Sequence, residues 1–233
     1  MVPCLAIQAL VTALLLTDVV VETGALKCPG VTIVSRKEWG ARPPRSLVAM
    51  RNPRAQYVFI HHTTGAQCKD QRSCSRLVRS HQNHHMNANR WSDIGYNFLV
   101  GGDGRIYVGR GFGREGAHTR GYNKVAIAIS FVGDFSRTRP SPSMLRAAER
   151  LIACGVKQGK IDRRYSLHGH RDANCTTCPG NCRCLTKIVG KIDRRYSLHG
   201  HRDANCTTCP GNLLYAIIKK WAHFKGKLKR FLC

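Results

Sequence analysis

Residues 57–65 read YVFIHHTTG, and the rest of the chain is best read outward from them. Tyr57–His61 is a short run of aromatic and β-branched residues, the pattern of a buried strand. Two adjacent histidines, His61 and His62, close it. Strand side chains alternate between faces, so His61 and His62 are expected to point opposite ways. A strand end holds a side chain rigidly, which suits a ligand. A lone histidine there is more often structural, so the argument needs partners.

Three further runs read as strands: Tyr96–Gly101 (YNFLVG), Arg105–Val108 (RIYV) and Val125–Val132 (VAIAISFV). GGDG joins the first two and is a strong hairpin signal. The last run is apolar almost throughout, as a central strand buried on both faces should be. A fifth strand, YSLHGH, occurs twice. Three helices fit the apolar spacing. The first covers about Ser75–His85. The second begins at Ser141-Pro142, an N-cap followed by proline, and ends near Gly159. The third covers about Leu213–His223. The expected fold class is α/β, a mixed central β-sheet of about five strands covered by three main helices.

The fifth strand is doubled because a 23-residue segment is doubled. GKIDRRYSLHGHRDANCTTCPGN runs over 159–181 and again, letter for letter, over 190–212, with CRCLTKIV between the copies. The added 31 residues carry six Lys/Arg and two Asp, so they supply only +4 of a net charge of +25. The remaining positive charge is spread along the chain and thickens in KKWAHFKGKLKRFLC. Such a surface attracts polyanions generally, including anionic envelope polymers. No motif with groove-entering geometry indicates a specific nucleic acid.

Cys4–Leu16 is nearly all apolar and too short to span a bilayer, and small residues follow at Thr23, Gly24 and Ala25. It reads as a signal peptide over residues 1–25, although no Lys or Arg precedes it. No other segment reaches the ~18 consecutive apolar residues of a transmembrane helix. The twelve cysteines favour an oxidising compartment. We therefore expect a secreted, extracellular chain with a single domain over 26–233, ending in a basic tail from about 224. Cys68 and Cys74 bracket a small loop, and Cys28 could clip the N-terminus onto a later helix through Cys154.

Each copy of the repeat places a histidine at a strand end, His170 or His201, and a cysteine eight positions later, Cys178 or Cys209. A catalytic zinc needs about three ligands from His, Cys or carboxylate, with one position left open. His61, one of the two histidines and one of the two cysteines make such a set. Every member falls at a strand end or in the turn that follows.

With these motifs in view, the chain resembles the peptidoglycan recognition proteins, relatives of the zinc-dependent N-acetylmuramoyl-L-alanine amidases of type 2. The resemblance runs from about Cys28 to Phe224. It is carried by SRKEWGARPP, YVFIHHTTG, HQNHHMNANRWSDIGYNFLVGGDGRIYVGRG, GAHTRGYN, AIAISFVGDF, HGHRD with CPGN, and a helix ending in WAHF. It implies a Zn2+ held by His61, by His170 or His201, and by Cys178 or Cys209. Binding-only members typically have serine in place of that cysteine, whereas both copies here keep cysteine.

The resemblance also implies catalytic roles for Tyr96 and for Thr176 or Thr207. Read from the residues alone, packing and turn capping serve these three as well. The disulfides Cys68–Cys74 and Cys28–Cys154 match those of vertebrate-type members. The implied substrate is bacterial peptidoglycan, including muramyl peptides. The implied reaction is hydrolysis of the amide between N-acetylmuramic acid and L-alanine, with zinc polarising the carbonyl and acidifying a water. The groove is expected along the 81–96 and 111–118 segments, with His81, Arg90, Trp91, Tyr96 and His118 as substrate contacts. Gly113 and Arg114 sit where members differ by the third residue of the stem peptide. Arg114 is suited to the extra carboxylate of a diaminopimelate stem. The alternative is a non-catalytic, cationic recognition protein on the same fold.

Both copies cannot occupy one strand position. Placing the insertion at Gly159, in an exposed connection, disturbs less than placing it beside the metal. That favours the second copy, His201 with Cys209, and leaves the first as a surface excursion.

Overall fold

The computed structural model describes residues 26–173, 207–226 and 228. The expected signal peptide, residues 1–25, lies outside them. So do Thr176, Cys178, His201 and most of the basic tail.

Among the described residues, six strands and three α-helices follow one another. They are β1 (Ile33–Val34), β2 (Ala55–His62), α1 (Gln71–Asn87), β3 (Phe98–Val100), β4 (Ile106–Val108), β5 (Ala126–Phe131), α2 (Pro142–Lys157), β6 (Ile161–Gly169) and α3 (Asn212–Ile218). The strands form one sheet in the order β1-β4-β3-β5-β2-β6. The β3–β4 hairpin is antiparallel and every other pairing is parallel. The sheet is thus mixed, with six strands rather than about five. The extra strand, β1, is only two residues long, too short to show any periodicity.

The apolar runs fall where their burial requires. All six residues of β5 are buried, and β5 lies between β3 and β2 as an interior strand of the sheet. The main core joins the sheet to α2 through Val58, Ile60, Ile127, Ile129, Leu151 and Leu167, with Leu214 and Ile218 of α3 closing one side. A second cluster, around Trp39, Val78, Leu99 and Tyr107, covers the other face beneath α1.

Helix boundaries follow local caps. α2 starts as expected: Ser141 accepts from the Met144 N–H and Pro142 follows it. α1 begins four residues before the expected Ser75, because Asp70 accepts from the Ser73 N–H in a capping box. α3 is shorter than expected, ending at Ile218 before a turn in which His223 takes φ 65°. The two expected disulfides are both present, Cys28–Cys154 and Cys68–Cys74. The first ties the N-terminal segment to α2. Among the described residues no helix is long and apolar enough to cross a membrane.

The α2–β6 connection determines where the inserted residues go. The N–H groups of Gln158, Gly159 and Lys160 close back onto the carbonyls of Cys154, Val156 and Gly155. Gly159 sits at φ 66°, where a side chain would be strained. This closed turn feeds directly into first-copy residues Ile161–Gly169. The expected insertion point at Gly159 is therefore not used. The intervening residues are carried between Ala173 and Thr207.

Candidate metal centre

Parallel strands β2, β5 and β6 end on the same edge of the sheet, the edge where open α/β sheets place their sites. His61 and His62 are the last two residues of β2. His170 opens a short 3-10 turn, His170–Asp172, immediately after β6. Cys209 returns to the same edge in the turn before α3. Its backbone carbonyl accepts from the Arg171 N–H.

One ligand atom from each of His61, His170 and Cys209 can lie within 4.8 Å of the others. Cys209 Sγ is 3.6 Å from His61 Nδ1, and the His61 and His170 ring centroids are 4.4 Å apart. Two imidazole nitrogens and a thiol on one open cavity fit the donor set of a three-ligand zinc site. Among the described residues this is the one cluster with that geometry. It takes its histidine from the first copy and its cysteine from the second. The expected pairing of His201 with Cys209 is not the one seen, since His170 holds the position. Identical letters let the chain leave the first copy and rejoin the second at any matching point, so the site need not be built from one whole copy.

The electrostatics favour neutral ligands. Burial holds the His61 imidazole well below its ordinary value, helped by neighbouring His170, His118 and His62. Burial and His62 bring His170 down to about 4. Burial pushes the Cys209 thiol up to about 12, although the His62 N–H and Arg171 oppose it. A bound cation inverts this last preference, because a coordinating thiol gives up its proton. The His62 N–H donates to Cys209 Sγ at 3.3 Å and is ready to support the thiolate. The His62 ring turns elsewhere, accepting from the Phe135 N–H at 3.2 Å, as alternation requires.

A cavity of about 300 Å³ lies over the cluster. Trp91, Tyr96 and His118, expected as substrate contacts, line it together with Thr207. His81, Arg90, Gly113 and Arg114 do not, and Arg114 instead pairs with Ala49 in an isolated β-bridge. The Tyr96 ring lies 5.4 Å from His61. Burial and nearby Cys209 raise its pKa, so its hydroxyl keeps its proton. Thr207 Oγ1 accepts from the Cys209 N–H at 3.1 Å and so caps the turn that carries the thiol. Gly116 packs against the His118 ring with no room for a Cβ.

Thr63, Thr64, Ala117 and Thr208 also line the cavity and were not expected. Thr63 and Thr64 could have been found, since they continue the strand that delivers His61.

Comparison with known proteins places the chain in a family. The family model described as N-acetylmuramoyl-L-alanine amidase matches residues 51–181. That match runs through Cys178 of the first copy, whereas the folded site takes Cys209; identical letters score alike in either copy. The chain is 42% identical over 151 residues to peptidoglycan-recognition protein SC1a of Drosophila melanogaster, covering 65% of this chain and 81% of that one. The structure of Drosophila PGRP-LB superposes with a TM-score of 0.69 at 36% identity, over 85% of this chain and 99% of the other. Human PGRP-IBETAC, solved in complex with glycosamyl muramyl pentapeptide, gives a TM-score of 0.66 at 36% identity, over 85% and 99%. The chain belongs to the N-acetylmuramoyl-L-alanine amidase family and, within it, to the peptidoglycan-recognition proteins.

Proposed function

We propose that this protein is a secreted, zinc-dependent N-acetylmuramoyl-L-alanine amidase that binds bacterial peptidoglycan and cleaves its stem peptide from the glycan. The observation that carries this reading is the convergence of His61, His170 and Cys209 beneath an open cavity that Tyr96 also lines. The thiol supports the enzyme reading over a recognition protein, since binding-only members typically carry serine at the place of Cys209.

A zinc ion held by these three residues supplies Lewis-acid polarisation of a carbonyl and acidifies water. The chain's own residues do the rest. His61 and His170 are neutral at physiological pH and so are free to act as ligands. The cavity seats the muramyl–alanine amide over the ligand cluster. Tyr96 keeps its proton, and its hydroxyl donates to the oxygen on which negative charge develops. Removing one such donor typically costs about 10²–10³-fold in rate. Thr207 holds the Cys209 turn in place through its hydroxyl. Relatives solved with tracheal cytotoxin or with a muramyl pentapeptide support a muramyl-peptide ligand for this cavity. The +25 charge favours accumulation on anionic wall polymers.

The test is zinc content and digestion of purified peptidoglycan by wild type, His61→Ala and Tyr96→Phe. Wild type should carry one zinc per chain and release stem peptides. His61→Ala should lose both zinc and activity, and Tyr96→Phe should lose activity while keeping zinc. Full activity in His61→Ala would reject the site.

A further inference from the structure

We propose that Thr119 is a positioning residue for the metal centre: its hydroxyl fixes the His61 ring so that Nδ1 faces the metal. This rests on the metal reading above. The two nitrogens of His61 have different neighbours. Nδ1 faces Cys209 Sγ at 3.6 Å, inside the ligand cluster. Nε2 faces away from it, 3.3 Å from Thr119 Oγ1. Thr119 Oγ1 in turn lies 3.0 Å from His118 Nδ1.

Once Nδ1 is a ligand, these contacts fix the role of Nε2. The neutral ring then carries its proton on Nε2 and donates it to the Thr119 hydroxyl. That hydroxyl also holds a hydrogen bond with His118 Nδ1 at 3.0 Å, which restrains it from the other side. The Thr119 hydroxyl thereby links the two rings, while His118 Nε2 at the end of the line is buried with no hydrogen-bond partner among the described residues. Metal-bound histidines generally need such a partner on the far nitrogen to set tautomer and ring orientation.

Thr119 is built for this task. It is fully buried. The Asn123 side-chain oxygen accepts from the N–H groups of both His118 and Thr119, at 3.0 and 2.9 Å. The Thr119 carbonyl accepts from the Tyr122 N–H at 3.0 Å. A β-branched side chain on a backbone fixed in this way has little freedom to turn its hydroxyl elsewhere. Thr119 lies 58 residues from His61 in sequence, so no motif spacing reveals the pair.

The test is zinc affinity, measured by competition with a chromophoric chelator, for wild type, Thr119→Val and Thr119→Ser. Valine keeps the shape and removes the hydroxyl, whereas serine keeps the hydroxyl and removes a methyl. Partners of this kind typically contribute about 10–100-fold in affinity. Thr119→Val should weaken zinc binding by about that factor, and Thr119→Ser should bind within about threefold of wild type. In nitrogen-15 NMR of the zinc-loaded wild type, His61 should show Nδ1 ligated and a slowly exchanging Nε2–H. That proton should exchange faster in Thr119→Val. Metal-free thermal melting of each variant separates packing loss from loss of positioning. Wild-type affinity in Thr119→Val overturns the proposal, and so does a larger loss in Thr119→Ser than in Thr119→Val. Failure of wild type itself to bind zinc would reject the underlying metal reading instead.

Discussion

Replacing Cys209 and Cys178 by serine, one at a time, separates two cysteines that occupy the same place in identical segments. Cys209 Sγ lies 3.6 Å from His61 Nδ1 and receives the His62 N–H at 3.3 Å. A serine hydroxyl at that place is not ionised near neutral pH and is a poor zinc ligand. Zinc sites in small folded domains are worth about 10–16 kcal/mol for four ligands, or about 2.5–4 kcal/mol each. At about 1.4 kcal/mol per decade, Cys209→Ser should weaken zinc binding by about two to three decades. Cys178→Ser should leave it within about twofold, well inside the scatter of such comparisons. Competition with a chromophoric chelator reads both, on protein first stripped of metal. The reverse order, with Cys178→Ser weak and Cys209→Ser intact, refutes the assignment of the second-copy cysteine. Equal losses in both variants refute it too, because the site then has no preferred frame.

Deleting residues 174–204 joins Ala173 to Asn205 and restores a single uninterrupted copy; this variant should bind one zinc and digest peptidoglycan at least as well as the full chain. Loss of zinc binding in that variant would show that the inserted residues belong to the site. Zinc binding at roughly pH 6 should release about one proton per ion, from Cys209, because His61 and His170 are already neutral there. Calorimetry in buffers of different ionisation enthalpy measures the count, and zero or two would contradict the assigned protonation states. The metal-free protein should lose stability as pH falls. Burial holds His85 near 4 and His118 near 3, against an ordinary value of 6.5. The unfolded chain therefore takes up these protons first. Stability is complete above 6.5 and declines toward 4, by several kcal/mol at about 1.4 kcal/mol per unit. Urea titrations across this range check it, and a flat profile would contradict the burial of these rings.

Much of the fold was legible because its signals are local. The apolar Val125–Val132 run announced an interior strand, Ser141-Pro142 announced a helix start, and GGDG announced a hairpin. β1 was missed because two residues carry no period. The start of α1 was missed because the Asp70–Ser73 capping box precedes the apolar face. At the site, His61 was legible from its strand end, and the resemblance supplied Tyr96 and Thr207. The choice of copy was not legible. Identical segments give identical local preferences, so the decision falls to the α2–β6 turn, whose closure onto Cys154, Gly155 and Val156 depends on the folded helix end. Thr119 was invisible for a related reason, since its partner His61 is brought to it only by the sheet.

The central claim is that the cluster of His61, His170 and Cys209 cuts peptidoglycan and does not merely sit beneath bound ligand. The direct measurement is the appearance of free alanine N-termini when zinc-loaded protein is incubated with purified peptidoglycan. The account predicts steady release by wild type and none by His170→Ala. Zinc-loaded wild type that binds peptidoglycan tightly yet frees no alanine N-termini would contradict it and leave a recognition protein in its place.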